Sequence, residues 1–161
     1  MSVFNAYEVF EIAEQIERNG SMFYSHAAQC SFSSKAKELL SRLACMEREH
    51  EKLFTALKEK FSLKGDDTFP DSENQAISYI KAIAGGKVFG SIEDISKKLR
   101  ADASYDEIIE TALGFEKNSV VYFTALKTLL SDRSQKDKIE SLIEQELSHI
   151  SMLLEEKKNS K

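Results

Sequence analysis

The sequence predicts an all-α fold: a four-helix bundle of two antiparallel helical hairpins joined by a long crossover with one or two short helices. Three observations predict it. Proline occurs once and glycine six times in 161 residues, a composition that long helices tolerate and all-β folds rarely show. Apolar residues recur at steps of three and four along four long stretches. The two halves of the chain repeat each other, each reading helix, short turn, helix.

The first helix is predicted over about residues 2–29, with an apolar stripe of Val9, Phe10, Ala13, Ile16, Phe23, Tyr24 and Ala27. CSFSS at 30–34 is a turn whose serines can cap the second helix, which runs over 34–61. KGDDTFPDSEN at 64–74 is a loop of turn formers with the only proline. A short apolar helix follows at 75–84, stopped by Gly85 and Gly86. Ser91 and Asp94 read as a capping pair for another short helix to about residue 100. The third long helix is predicted over 105–130, SDRS at 131–134 is a turn, and the fourth long helix covers 135–157. The hairpins thus span about 2–61 and 105–158, and the crossover 62–104, in one domain over 1–161. A connection that long lets the second hairpin start from the far end of the bundle. That is the ferritin-like variant of the four-helix bundle.

Composition narrows the function classes. The charged fraction is 30%, the hydrophobic fraction 42% and the net charge −5, with no basic stripe, so nucleic acid is not an expected partner. No apolar run approaches the roughly 20 residues of a membrane span. Cys30 and Cys45 form no C-x-x-C pair, which excludes a rubredoxin-type or zinc-ribbon site. Two lone thiols and no signal-peptide pattern give a cytoplasmic expectation.

The stripe of the second helix holds a conflict. It runs Ala36, Leu39, Leu43, Glu47, His50, Phe54, Leu57, so a glutamate and a histidine one turn apart sit where a core residue belongs. The repeat explains them. Glu17 and Glu116, Glu47 and Glu146, and His50 and His149 are related by one offset, since 116 − 17 and 146 − 47 both give 99. IERNGSMFY at 16–24 parallels FEKNSVVYF at 115–123, and MEREH at 46–50 parallels QELSH at 145–149. In each half the first glutamate precedes the E-x-x-H motif by 30 positions (47 − 17 and 146 − 116), with the predicted turn midway. Fifteen residues back and fifteen forward are equal climbs of about 22 Å, so the glutamates stand level on facing helices. E-x-x-H residues share a helix face.

All six side chains fall on core stripes, the other two being Ile109, Ala112, Glu116, Ser119, Phe123 and Ile139, Leu142, Glu146, His149, Leu153. Four carboxylates and two imidazoles in an apolar core are very costly if bare. Two divalent cations cancel four carboxylate charges and supply the missing partners. With 19 glutamates in the chain, chance gives both histidines a glutamate at −3 and −33 at roughly 2 in 10,000, before allowing for glutamate-rich helices. The candidate metal ligands are therefore Glu17, Glu47, His50, Glu116, Glu146 and His149.

These strings resemble the rubrerythrin-like branch of the ferritin-like superfamily, through E-x-x-G-x-x-F-Y (Glu17, Gly20, Phe23, Tyr24) and E-R-E-H at 47–50. The resemblance covers both hairpins and leaves out the crossover. It implies that Glu17 and His50 serve one metal, Glu116 and His149 the other, and that Glu47 and Glu146 bridge. It implies two iron ions per chain, with manganese as the alternative, and reduction of peroxide or dioxygen with electrons from Fe(II). It implies a separate electron-donor protein, since no rubredoxin domain is present, and a homo-oligomer such as a dimer. The alternatives are a bacterioferritin-like ferroxidase or iron-handling protein, and a non-enzymatic bundle with an empty site. Two departures stand out. Many rubrerythrins carry an extra glutamate one turn from the terminal ligand of the third helix, where this chain has Leu113 and Ser119. In bacterioferritins a haem-ligating methionine follows the bridging glutamate; Arg48 stands there, so no haem is expected.

Other candidates are weaker. Tyr24 and Tyr122 are candidates to hydrogen-bond the site carboxylates, with core packing the favoured alternative. Glu14, one turn before Glu17, is a candidate further carboxylate, with a solvated face favoured. Gly20 and Ser119 align and either leave room for an oxygen ligand or allow close helix packing. His26 lies half a revolution from Glu17 and Cys45 points away from Glu47.

Overall fold

The computed structural model describes residues 5–30, 32–62, 75–84, 99 and 102–160. Within them it has five helices: α1 (Ala6–Ala28), α2 (Ser34–Ser62), α3 (Gln75–Ala84), α4 (Tyr105–Leu129) and α5 (Arg133–Asn159). The loop at 64–74, the glycine stop at 85–86 and the capping pair Ser91 and Asp94 lie outside the described residues.

The helix starts follow local side-chain chemistry. α1 begins at Ala6 and not at residue 2, because Asn5 is extended (φ −105°, ψ 163°) and closes a capping box with Glu8. Glu8 N donates to Asn5 Oδ1 at 2.9 Å, and Asn5 N donates to Glu8 Oε2 at 3.2 Å. Ser33 receives the Ala36 N–H and starts α2 where the serine turn predicts. Ser104 and Glu107 form a second capping box at α4. α5 starts two residues before the predicted position, since Asp132 accepts the Gln135 N–H and acts as N-cap.

Contacts across the helices set their directions. Glu14 meets Lys58, Arg18 meets Glu51 and Ser25 meets Arg48, so α1 and α2 are antiparallel. Val9 meets Tyr122 and Tyr24 meets Glu116, so α4 also opposes α1. α2 and α4 therefore run the same way, the arrangement that a long connection between the two hairpins requires. This is the long crossover predicted from sequence. Within it, α3 packs on α4 with Ile77, Ile80 and Ile83 buried.

The core is split in two. One apolar cluster holds Phe10, Ile16, Phe54, Phe123 and Leu142, with Ile80 and Ile83 of α3 joining it. The other holds Phe23, Tyr24, Leu43, Ala112 and Leu153. On each long helix the boundary between the clusters falls at the candidate ligands: between Ile16 and Phe23, Leu43 and Phe54, Ala112 and Phe123, Leu142 and Leu153. A polar layer thus crosses the middle of the bundle.

Candidate metal centre

Heptad-like stripes aim the six candidate ligands inward, and all six are buried, from 0% exposure at Glu146 and His149 to 4% at His50. Their donor atoms form two overlapping groups. Glu17, Glu47, His50 and Glu146 make one; Glu47, Glu116, Glu146 and His149 make the other. Within each group one donor atom per residue lies within 4.8 Å of the rest. Glu47 and Glu146 belong to both groups, and each remaining residue belongs to one, which is the partition the resemblance implies.

Both imidazoles present Nδ1 to the carboxylates. His50 Nδ1 lies 2.7 Å from Glu146 Oε1, 3.3 Å from Glu17 Oε2 and 3.7 Å from Glu47 Oε2. His149 Nδ1 lies 3.1 Å from Glu47 Oε1 and 3.4 Å from Glu116 Oε2. The rings stack at 13°, with centroids 5.4 Å apart. Glu47 therefore directs one oxygen at each histidine, as a bridging carboxylate does.

The centre fits cations and fits little else. Among the described residues, the buried side-chain nitrogen and oxygen atoms without a hydrogen-bond partner all belong to these six residues. They include both oxygens of Glu17, both of Glu146 and Nδ1 of each histidine. Buried polar atoms are otherwise satisfied in folded proteins, so orphans gathered at one point mark the place of missing partners. The donor set of carboxylates and imidazoles suits first-row transition metals.

Protonation shows the same strain. Burial pushes the Glu17 carboxyl well above its usual range, and the charges of Glu146 and Glu47 push it further. Burial and then the Glu47 charge do the same to Glu116. Burial pushes Glu47 up as well, but the neighbouring Glu17 carboxyl and the two imidazoles outweigh it and hold Glu47 low. Burial opposes charge on His149, yet Glu116 and Glu47 together push it up to about 10. His50 is raised further, burial being outweighed by the nearby carboxylates of Glu146, Glu17 and Glu47. Without cations, the balance at Glu17, Glu116 and both histidines shifts toward the protonated forms.

The surroundings correct several sequence-based expectations. Tyr24 does reach the site and donates its hydroxyl to Glu116 Oε1. Burial, with the Glu116 charge next, keeps that hydroxyl protonated. Tyr122 does not reach it: its hydroxyl donates to Val9 O of α1 at 2.8 Å, because it stands one position before the repeat equivalent of Tyr24, which is Phe123. Glu14 is neither a site carboxylate nor solvated. It is 7% exposed and bonded to Lys58, Arg18 and Thr55 between α1 and α2. Gly20 lies against Glu47, and an added Cβ would sit 3.4 Å from its Cγ and Cδ, in ordinary van der Waals contact. Ser119 Oγ is turned to Phe115 O at 3.1 Å. His26 and Cys45 are exposed, as their helix positions predict. Sequence reasoning missed Gln145, whose Oε1 lies 3.1 Å from His50 Nε2. Its only signal is a hydrogen-bonding side chain just before the bridging glutamate in QELSH.

The fold is ferritin-like, and its centre has the composition of a di-metal carboxylate site. No protein-family model matches the sequence, and no curated protein is similar to it. A crystal structure from Thermotoga maritima is similar over 100% of this chain and 99% of its own, with a TM-score of 0.78 and 22% identity. That protein carries the provisional name ferritin-like diiron-carboxylate protein. At this identity the likeness concerns the fold, and the residues of the centre carry the rest. No helix among the described residues is long and apolar enough to cross a membrane.

Proposed function

We propose that this chain is a di-iron carboxylate oxidoreductase that reduces peroxide or dioxygen. The observation that carries it is the pair of four-residue groups sharing Glu47 and Glu146. Glu17, His50 and the shared pair would hold one iron; Glu116, His149 and the shared pair would hold the other. Bound there, two Fe(II) ions supply two electrons to a small oxidant.

The protein's own part is charge balance, orientation and exclusion of water. Four carboxylates offset two dications, so the loaded centre is near neutral within an apolar core. The two flanking clusters keep bulk water from the layer. Tyr24 holds a proton at its hydroxyl against Glu116 and orients that carboxylate. No second carboxylate stands beside Glu116 on α4, since Leu113 is buried apolar packing and Ser119 is turned to its own helix. Glu116 therefore has no alternate carboxylate to trade places with. Re-reduction falls to a separate donor protein, the chain acts as a homo-oligomer, and its setting is the cytoplasm.

Anaerobic Fe(II) reconstitution followed by metal analysis tests the site, with two irons per chain expected. Stopped-flow mixing with peroxide and with dioxygen tests the reaction. Rapid oxidation by peroxide in a small oligomer supports the reductase. Slow oxidation with iron accumulating in a large cage would make it a ferroxidase, and no bound metal would sink both.

A further inference from the structure

The two halves of the centre are related by the 99-residue repeat, yet they are not supported alike. His50 Nε2 lies 3.1 Å from Gln145 Oε1, and the Gln145 amide nitrogen donates to Ser141 O at 3.3 Å. That second bond keeps the amide oxygen toward the ring. An amide oxygen only accepts, so His50 carries a proton on Nε2, which leaves Nδ1 as the ring atom that would face a cation held by the carboxylates. The repeat equivalent of Gln145 is Met46, whose thioether is a weak acceptor. His149 Nε2 is accordingly buried with no hydrogen-bond partner among the described residues.

The terminal glutamates differ as well. Tyr24 donates to Glu116, whereas its repeat equivalent is Phe123, which has no hydroxyl. Both oxygens of Glu17 are without a hydrogen bond. A hydroxyl bonded to a carboxylate draws on charge that a cation would otherwise use. One half thus has an undiluted carboxylate and an anchored imidazole. The other has a shared carboxylate and a ring held on one side only.

Resting on the di-metal reading above, we infer that the two metal positions are inequivalent: the Glu17–His50 position fills first and more tightly, and Gln145 is the positioning residue that makes it so. Gln145 acts through His50, as an outer partner that fixes the tautomer and raises ligand basicity.

The test is anaerobic titration of the metal-free full chain with Co(II), read by its visible absorption and by chelator competition. Two steps of unequal affinity are expected. Glu116→Gln should remove the weaker step and keep the tighter. Gln145→Leu should weaken the tighter step about 10- to 100-fold, and Gln145→Glu, which keeps an acceptor, should restore it. Met46→Gln should tighten the weaker step by supplying the acceptor that His149 lacks. Two equal steps in the wild-type chain, or a tighter step untouched by Gln145→Leu, would overturn the inference and leave the di-metal reading standing. No Co(II) bound by the wild-type chain would overturn both.

Discussion

Glu47 and Glu49 are two positions apart on one helix and have opposite fates. Glu47 is 3% exposed and belongs to both four-residue groups, while Glu49 stands in solvent beside Lys52. Glu47→Ala should therefore abolish metal loading at both positions, and Glu49→Ala should leave it at wild-type stoichiometry; metal analysis after reconstitution distinguishes them. Equal losses would contradict the assignment of helix faces. Protonation gives a second prediction. Glu17 and Glu116 are pushed above the usual carboxylate range, which favours their protonated forms, and His149 is pushed up to about 10, which keeps it protonated near pH 7 in the cation-free centre. Cations must displace those protons, so binding releases protons and affinity rises with pH. Co(II) affinity measured between about pH 6 and 8 should climb steadily, and proton release should appear as a buffer-dependent heat. A flat profile would mean that the protons sit elsewhere.

The elements owe their limits to caps and their faces to the repeat. Asn5 with Glu8 and Ser104 with Glu107 close reciprocal capping boxes, each satisfying backbone N–H groups that have no partner within the helix. Ser104→Ala should cost about 1 kcal/mol in urea unfolding without changing metal stoichiometry, because the cap lies far along α4 from Glu116. The helices also differ in outer chemistry. α1 and α2 join through Glu14, Arg18, Glu51, Thr55 and Lys58, whereas the repeat equivalents of Glu14, Glu51 and Thr55 are Leu113, Ile150 and Leu154. The repeat is kept at the metal-facing positions and broken at these three, which is why its signal is sparse.

In the molecule as a whole, a charged layer separates two apolar clusters, and aromatic rings tie the hairpins together beside it. Phe54 of α2 lies 6.4 Å from Phe10 of α1 and 5.0 Å from Phe123 of α4, fully buried. Phe54→Ala should cost about 3–5 kcal/mol by leaving a cavity where these helices meet. Chemical denaturation of the metal-free protein measures this, and a loss under 1 kcal/mol would show that the site collapses around the gap. Saturating cations should offset part of the loss, since ligands of the folded state stabilise it by mass action.

The sequence by itself determined the fold class and pointed to six residues that the structure gathers, buried, at one place. Helical periodicity, two short turns and one long connection leave few topologies, and burying four glutamates and two histidines is tolerable only together. The short helix α3 and the start of α2 were likewise legible, from apolar spacing and a serine cap. The tertiary structure alone decided the partners of those residues. Tyr24 and Tyr122 look alike along the chain, yet only one reaches a carboxylate, because a single-residue step turns a side chain by about 100°. Glu14 reads as a surface charge until Lys58, 44 positions away, closes over it. Gln145 stands on the exposed side of α5 and becomes significant only through His50 of another helix. Spacing along one helix fixes which way a side chain points. What it meets there depends on the rotation and height of a neighbouring helix, which no local pattern records.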